Sequence, residues 1–181
     1  MLYNEYFSHM AQEDAIVRLA RQIDATRKAE RFLVDGDAVE SLRRRGASEL
    51  HAICADFVAS LNGKLAEAVV ELSPERYSPE LFRESGVNLF QVSSQGREMQ
   101  IAFEATAEPV STEKFAIPHI LEGELRTYNQ QMLERSEIKS LMLFYCVEQE
   151  DAAWYFFDWR TRSTGKIDAQ LLARLMEPLF R

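Results

Sequence analysis

The chain has 181 residues, of which 46% are hydrophobic and 28% charged, and 29 acidic against 21 basic side chains give a formal charge of −8. That length suits one domain able to bury roughly 70% of its unfolded surface without disulfide or metal support. The acidic excess runs through both halves, so net charge argues against a nucleic-acid-binding domain and against a polybasic membrane patch.

The first residues, MLYNEYFSHMAQED, lack a positive region followed by a continuous apolar run, and no apolar stretch approaches the roughly 20 residues that span a bilayer. A soluble cytoplasmic protein is expected. From about Ala11 to Val34 helix formers predominate without Gly or Pro. Ile16, Leu19, Ala20 and Ile23 make an apolar stripe that fades after Ile23, so this helix should project or pack over only part of its length.

Asp35, Gly36 and Asp37 signal a turn, and a short helix with Val39 and Leu42 is expected to end at Gly46. Within it, Arg43, Arg44 and Arg45 read as a solvated helix end, with acidic neighbours, more readily than as a phosphate site. The strongest helical pattern follows. From the N-cap Ser48 through Leu50, Ile53, Cys54, Phe57, Val58, Leu61 and Leu65 to Leu72 the apolar residues keep helical spacing. Asn62 and Gly63 interrupt it, either as a tolerated weakness or as a C-cap before a strand at Ala68 to Leu72. Ser73-Pro74 and Ser78-Pro79 each resemble the start of a short helical turn.

After Val87 the apolar period becomes two. Asn88 to Ser93 and Arg97 to Ala105 predict a hairpin around Gln95 and Gly96, with Met99, Ile101 and Phe103 on its drier face. A linker over Thr106 to Pro118 leads to a strand, Ile120 to Tyr128, in which Gly123 marks a bulge or a close approach. Gln130 to Lys139 reads as a short helix or an extended strand. Lys139 to Arg160 is the most apolar stretch, two arms about the polar tetrad Glu148, Gln149, Glu150 and Asp151, and predicts a hairpin pairing Val147 with Ala152 and Tyr145 with Trp154. Both arms are apolar on both faces, as in strands covered from both sides. Asp158 then falls beside large apolar side chains and needs a partner, Arg126, Arg160 or a loop amide. A turn over Thr161 to Lys166 precedes a closing helix capped by Asp168.

The predicted fold class is α+β: a mainly antiparallel sheet of about five strands packed against a long helix, with N-terminal helices and a C-terminal helix at an edge or on the other face. Residues 1–181 should form a single domain, helical over about 1–72 and sheet-rich over about 87–181. Cys54 and Cys146 lie in apolar settings and read as buried free thiols. His9, His51 and His119 have no second ligand at metal-site spacing, so neither a metal nor a cofactor is expected.

Asp158, Trp159, Arg160, Arg162 and Lys166 gather cations around an aromatic beside one turn and form the first candidate ligand site, suited to carboxylate or phosphate. They lack the glycine framework of a Walker loop. His119, Glu122, Glu124 and Arg126 are the alternative, an acid-base set placed with Asp158 in a pocket between the long helix and the sheet. The expected function is a non-enzymatic binding or protein-interaction domain that self-associates as a homodimer or takes a basic or extended protein partner. A small enzyme or small-ligand-binding domain is the alternative. No nucleic-acid or membrane partner is expected.

Overall fold

The central hairpin sets the geometry of the protein. In the computed structural model, which describes residues 15–21, 23, 24, 27, 36–112, 115–148 and 151–181, strands β5 (Lys139–Glu148) and β6 (Asp151–Asp158) pair in the register expected of them, Val147 with Ala152, Tyr145 with Trp154 and Leu143 with Phe156. Around them, β1 (Glu71–Ser73), β2 (Asn88–Ser94), β3 (Arg97–Thr112), β4 (Phe115–Asn129) and β7 (Ser163–Lys166) complete one antiparallel sheet whose spatial order is the sequence order. The sheet therefore has seven described strands instead of about five. The additions are the short edges: β1, and β7 in the run expected to be only a turn.

Helix α1 (Gly36–Asn62) starts a full three turns earlier than Ser48 and stops ten residues short of Leu72. Gly46 does not end a helix, because it sits inside one where the sheet comes closest. Asn62 does end it. Its side chain donates to Val70 O at 2.8 Å and accepts from Val70 N at 3.1 Å, which turns the chain back toward β1. The helix thus ends at Asn62, as in the C-cap reading of Asn62 and Gly63, but the strand after it is Glu71–Ser73 and not Ala68 to Leu72. A 3-10 turn over Pro79–Leu81 leads to β2, and residues 95 and 96 close the β2–β3 hairpin with φ of 51° and 76°, the paired positive angles favoured in a two-residue turn.

The stretch expected to be a linker continues β3 to Thr112, and β4 begins at Phe115. Pairing is regular from Arg97↔Asn129 to Ala105↔Leu121, and then the next pair is Val110↔His119. The break, which contains Pro109, spoiled the alternation that would have revealed a strand. Proline cannot donate to a ladder and collects at such bulges.

Short α2 (Gln130–Glu134) is capped by the Asn129 side chain, which accepts from Met132 N at 2.9 Å. The closing α3 (Ala169–Met176) is capped by Asp168, which accepts from Leu171 N at 2.7 Å. Leu171, Leu172 and Met176 of α3, Leu50, Cys54 and Phe57 of α1, and Phe90, Ile101, Phe103, Leu125, Tyr145 and Trp154 of the sheet form one core. Helices α1 and α3 thus cover the same sheet face. His51 is buried in this layer, bonded to Pro74 O at 2.8 Å and in ring contact with Tyr77 and Phe90. The Arg triplet is in mid-helix, with Arg44 paired to Glu40 and Arg45 to Glu49.

The N-terminal segment is helical at residues 15–21, 23, 24 and 27. Most of the helix expected over Ala11 to Val34, and His9, lie outside the described residues. No described helix is long and apolar enough to cross a membrane.

Candidate functional site: a groove on the second sheet face

Alternation sends every other residue of β3 to β6 away from α1. Gly123 shows which side is which, because a Cβ there would lie 2.7 Å from Phe103 Cβ in the core; Glu122 and Glu124 therefore project from the opposite face. Register then sets Glu104, Glu122, Phe144 and Tyr155 in one cross-strand row, and Ala102, Glu124, Met142 and Phe157 in the next. Gln100, Arg126 and Ser140 form a third.

These rows line a groove of about 670 Å³. Its floor is apolar, from Val87, Ala102, Met142, Phe144 and Trp159, and its polar lining is Glu104, Glu122, Glu124, Arg126 and Ser140. Three carboxylates face one guanidinium. Arg126 Nη2 donates to Glu124 Oε2 at 2.5 Å, and this bond holds the Glu124 carboxyl below its ordinary range, assisted by the Ser140 hydroxyl and opposed by partial burial. Glu124 is thus ionised across the neutral range, and Arg126 is engaged within its own strand. The negative charge left for a ligand comes from Glu104 and Glu122.

His119 reaches this face because the bulge at Ile120 shifts the β4 register between His119↔Cys146 and Leu121↔Tyr145. Its ring is fully buried, 4.7 Å from the Phe144 ring centroid, and its Nε2 stands 3.6 Å from Glu122 Oε2. The structure therefore brings His119, Glu122, Glu124 and Arg126 to one region, but on the face opposite the expected pocket. Between α1 and the middle of the sheet stands the aromatic series His51, Tyr77, Phe90, Phe103, Trp154 and Tyr145, and a hollow of about 500 Å³ lies at the β1 edge, lined by Val58, Ala59, Asn62 and Leu72.

The turn after β6 divides. Trp159 enters the groove, whereas Asp158 and Arg160 line a separate hollow of about 100 Å³. Asp158 finds the loop amide as its partner, accepting from Arg160 N at 2.9 Å and from Thr161 Oγ1 at 3.0 Å; the Arg160 amide is the main cause of its lowered pKa. The Arg160 guanidinium lies 5.2 Å from the Trp159 ring and the Lys166 ammonium 5.9 Å from the Tyr155 ring. Arg162 adopts φ of 57° in the turn.

Glu104, Ser140, Met142 and Phe144 were not foreseen as site residues. They come from strands β3 and β5, and only register places them beside β4. The polar alternation of Glu98, Gln100 and Glu104 was the one signal available. A further hollow of about 470 Å³ at the far end of α1, lined by Phe57, Leu61, Leu65, Met176 and Phe180, carries Glu177 as its single charged group. Among the described residues no three His, Cys, Asp or Glu side chains are placed to hold a metal ion. Comparison with protein-family models, with curated proteins and with solved structures found no match.

Proposed function

We propose that this protein is a non-enzymatic binding module whose second-face groove takes a cationic polypeptide with an apolar side. The observation that carries this reading is the apolar floor flanked by three carboxylates and one guanidinium that is already paired. An apolar floor supplies the affinity of burial, and an acidic rim selects and steers a basic partner. Trp159, 55% exposed, supplies the kind of aromatic anchor that dominates interface energetics. The enzyme reading draws on the proximity of His119 and Glu122, but an imidazole with no exposed surface is poorly placed to exchange a proton with a substrate.

Trp159 is also the reporter. Titration with a synthetic amphipathic peptide of Lys and Leu should change its emission saturably, weaken as salt is added, and fail in a Glu122→Lys/Glu124→Lys variant. Equal binding of the Glu and Leu counterpart, or unchanged affinity in the variant, would overturn the proposal.

A further inference from the structure

The hollow at the far end of α1 is apolar except at one end. Phe57, Leu61, Val70 and Met176 wall its volume of about 470 Å³, a size that suits a small molecule. Two further walls, Leu65 and Phe180, are 40% and 49% exposed, so the hollow opens to water on their side.

Strand register makes the polar end. The β2–β3 ladder runs through Phe90↔Ile101 and Val92↔Met99, all four in the core, and closes with Ser94↔Arg97. Residues directly opposite on antiparallel strands share a face, with Cβ atoms about 5 Å apart. Ser94 and Arg97 therefore meet on the core side, where the hollow begins. Ser94 lines it at 3% exposure, and no described residue shares a hydrogen bond with its hydroxyl. A hydroxyl so deeply placed without a partner asks for a reason.

Arg97 is fixed beside it. Its Nε donates to Leu179 O at 3.0 Å and its Nη1 to Gln95 O at 2.9 Å, and the guanidinium carbon lies 4.7 Å from the centroid of the Phe180 ring. These contacts hold the cation between the hairpin turn and the closing 3-10 turn over Glu177–Phe180. They leave Nη2 without a bond, and Arg97 has no ion pair among the described residues. The carboxylate of the hollow, Glu177, is taken by Arg181 at 2.6 Å.

We infer that this hollow is a second binding site, separate from the groove, for a small monocarboxylate with an apolar tail, of the fatty-acid kind. The carboxylate accepts from Arg97 Nη2 and from the Ser94 hydroxyl, and the tail runs between Phe57, Leu61 and Met176. A guanidinium held in place selects a carboxylate head, and apolar walls supply the affinity for the tail. A cationic amphiphile meets the Arg97 charge and is rejected.

Calorimetric titration of the full chain with octanoate, octanol and octyltrimethylammonium tests it. Octanoate should bind saturably, one to one and at least about tenfold more tightly than octanol, and the cation should not bind. Arg97→Met should bring octanoate down to the affinity of octanol without loss of octanol binding, a change of selectivity that a loosened fold would not produce. Ser94→Ala breaks no hydrogen bond of the free protein and should weaken octanoate several-fold. Ala173→Trp, at an exposed position of α3 on the wall of the hollow, should keep the native circular dichroism and abolish binding of both. Octanoate that does not bind, binds no better than octanol, or binds unchanged to Ala173→Trp overturns the inference. So does an N-acetylated leucine tripeptide that binds more tightly than octanoate, which would make the site a reader of peptide carboxyl ends, and so does loss of octanoate binding in Glu122→Lys/Glu124→Lys, which would put the ligand in the groove.

Discussion

Gly46 carries more of the architecture than any other small residue. A Cβ built there would sit 2.6 Å from the Tyr145 ring, and its carbonyl accepts the Trp154 indole N–H at 2.7 Å. Tyr145 and Trp154 are cross-strand neighbours on β5 and β6, so one glycine of α1 receives the two largest aromatics of the hairpin. The tyrosine cannot easily move aside, since its hydroxyl donates to Glu49 Oε2 at 2.9 Å and its ring is buried, which also raises its pKa. In Gly46→Ala two effects compete. Alanine gains about 1 kcal/mol of helix propensity, while overpacking costs about 1–3 kcal/mol, and with the ring pinned the second should win. A lower urea midpoint is expected. Gly36→Ala, with nothing within 4 Å of the new methyl, should show no such loss.

At the scale of elements, the irregular stretch of the β3–β4 hairpin is held by a clamp from the helix. Arg43 donates through Nε to Ile120 O at 3.1 Å and through Nη2 to Thr106 O at 2.6 Å, and its Nη1 pairs with Glu84. Thr106 Oγ1 adds a bond to the same Ile120 carbonyl at 3.2 Å. The clamp lies at the bulge that brings His119 to the sheet face of the groove. Arg43→Met should therefore cost roughly 2–4 kcal/mol through two carbonyls and a carboxylate left short of donors. Hydrogen exchange should quicken around Thr106 and Ile120 and stay unchanged across β5 and β6; uniform change along the sheet would refute a local role. The same places explain what the sequence could disclose. A short polar turn between two apolar arms made the β5–β6 register readable to the residue. Alternation also put Glu122, Glu124 and Arg126 on one face, but not which face α1 would choose. Where the bulge broke the period, a strand read as a linker; where Gly46 met Tyr145, a packing notch read as a helix end. Both signals are local, and both causes lie far away in the chain.

At the scale of the whole molecule, the sheet separates two apolar layers, of unequal size among the described residues, and each contains one thiol. Cys54 lies in the large layer beneath α1, and Cys146 lies with Phe144 in the small one on the second face. Neither is in a disulfide and both are fully buried, and burial pushes the Cys54 thiol up to about 12, so it holds almost no thiolate at neutral pH. Exposure of either requires an opening of its layer, and openings that break fewer apolar contacts are more frequent. With a disulfide reagent under native conditions Cys146 should be labelled before Cys54, as mass spectrometry of the digested protein would show. Filling the groove adds cover to the second layer alone. The Lys and Leu peptide should slow labelling of Cys146 and leave Cys54 unchanged. Equal slowing of both would mean that the faces open together and that the groove reports global stability; no slowing of Cys146 would mean that the ligand sits elsewhere.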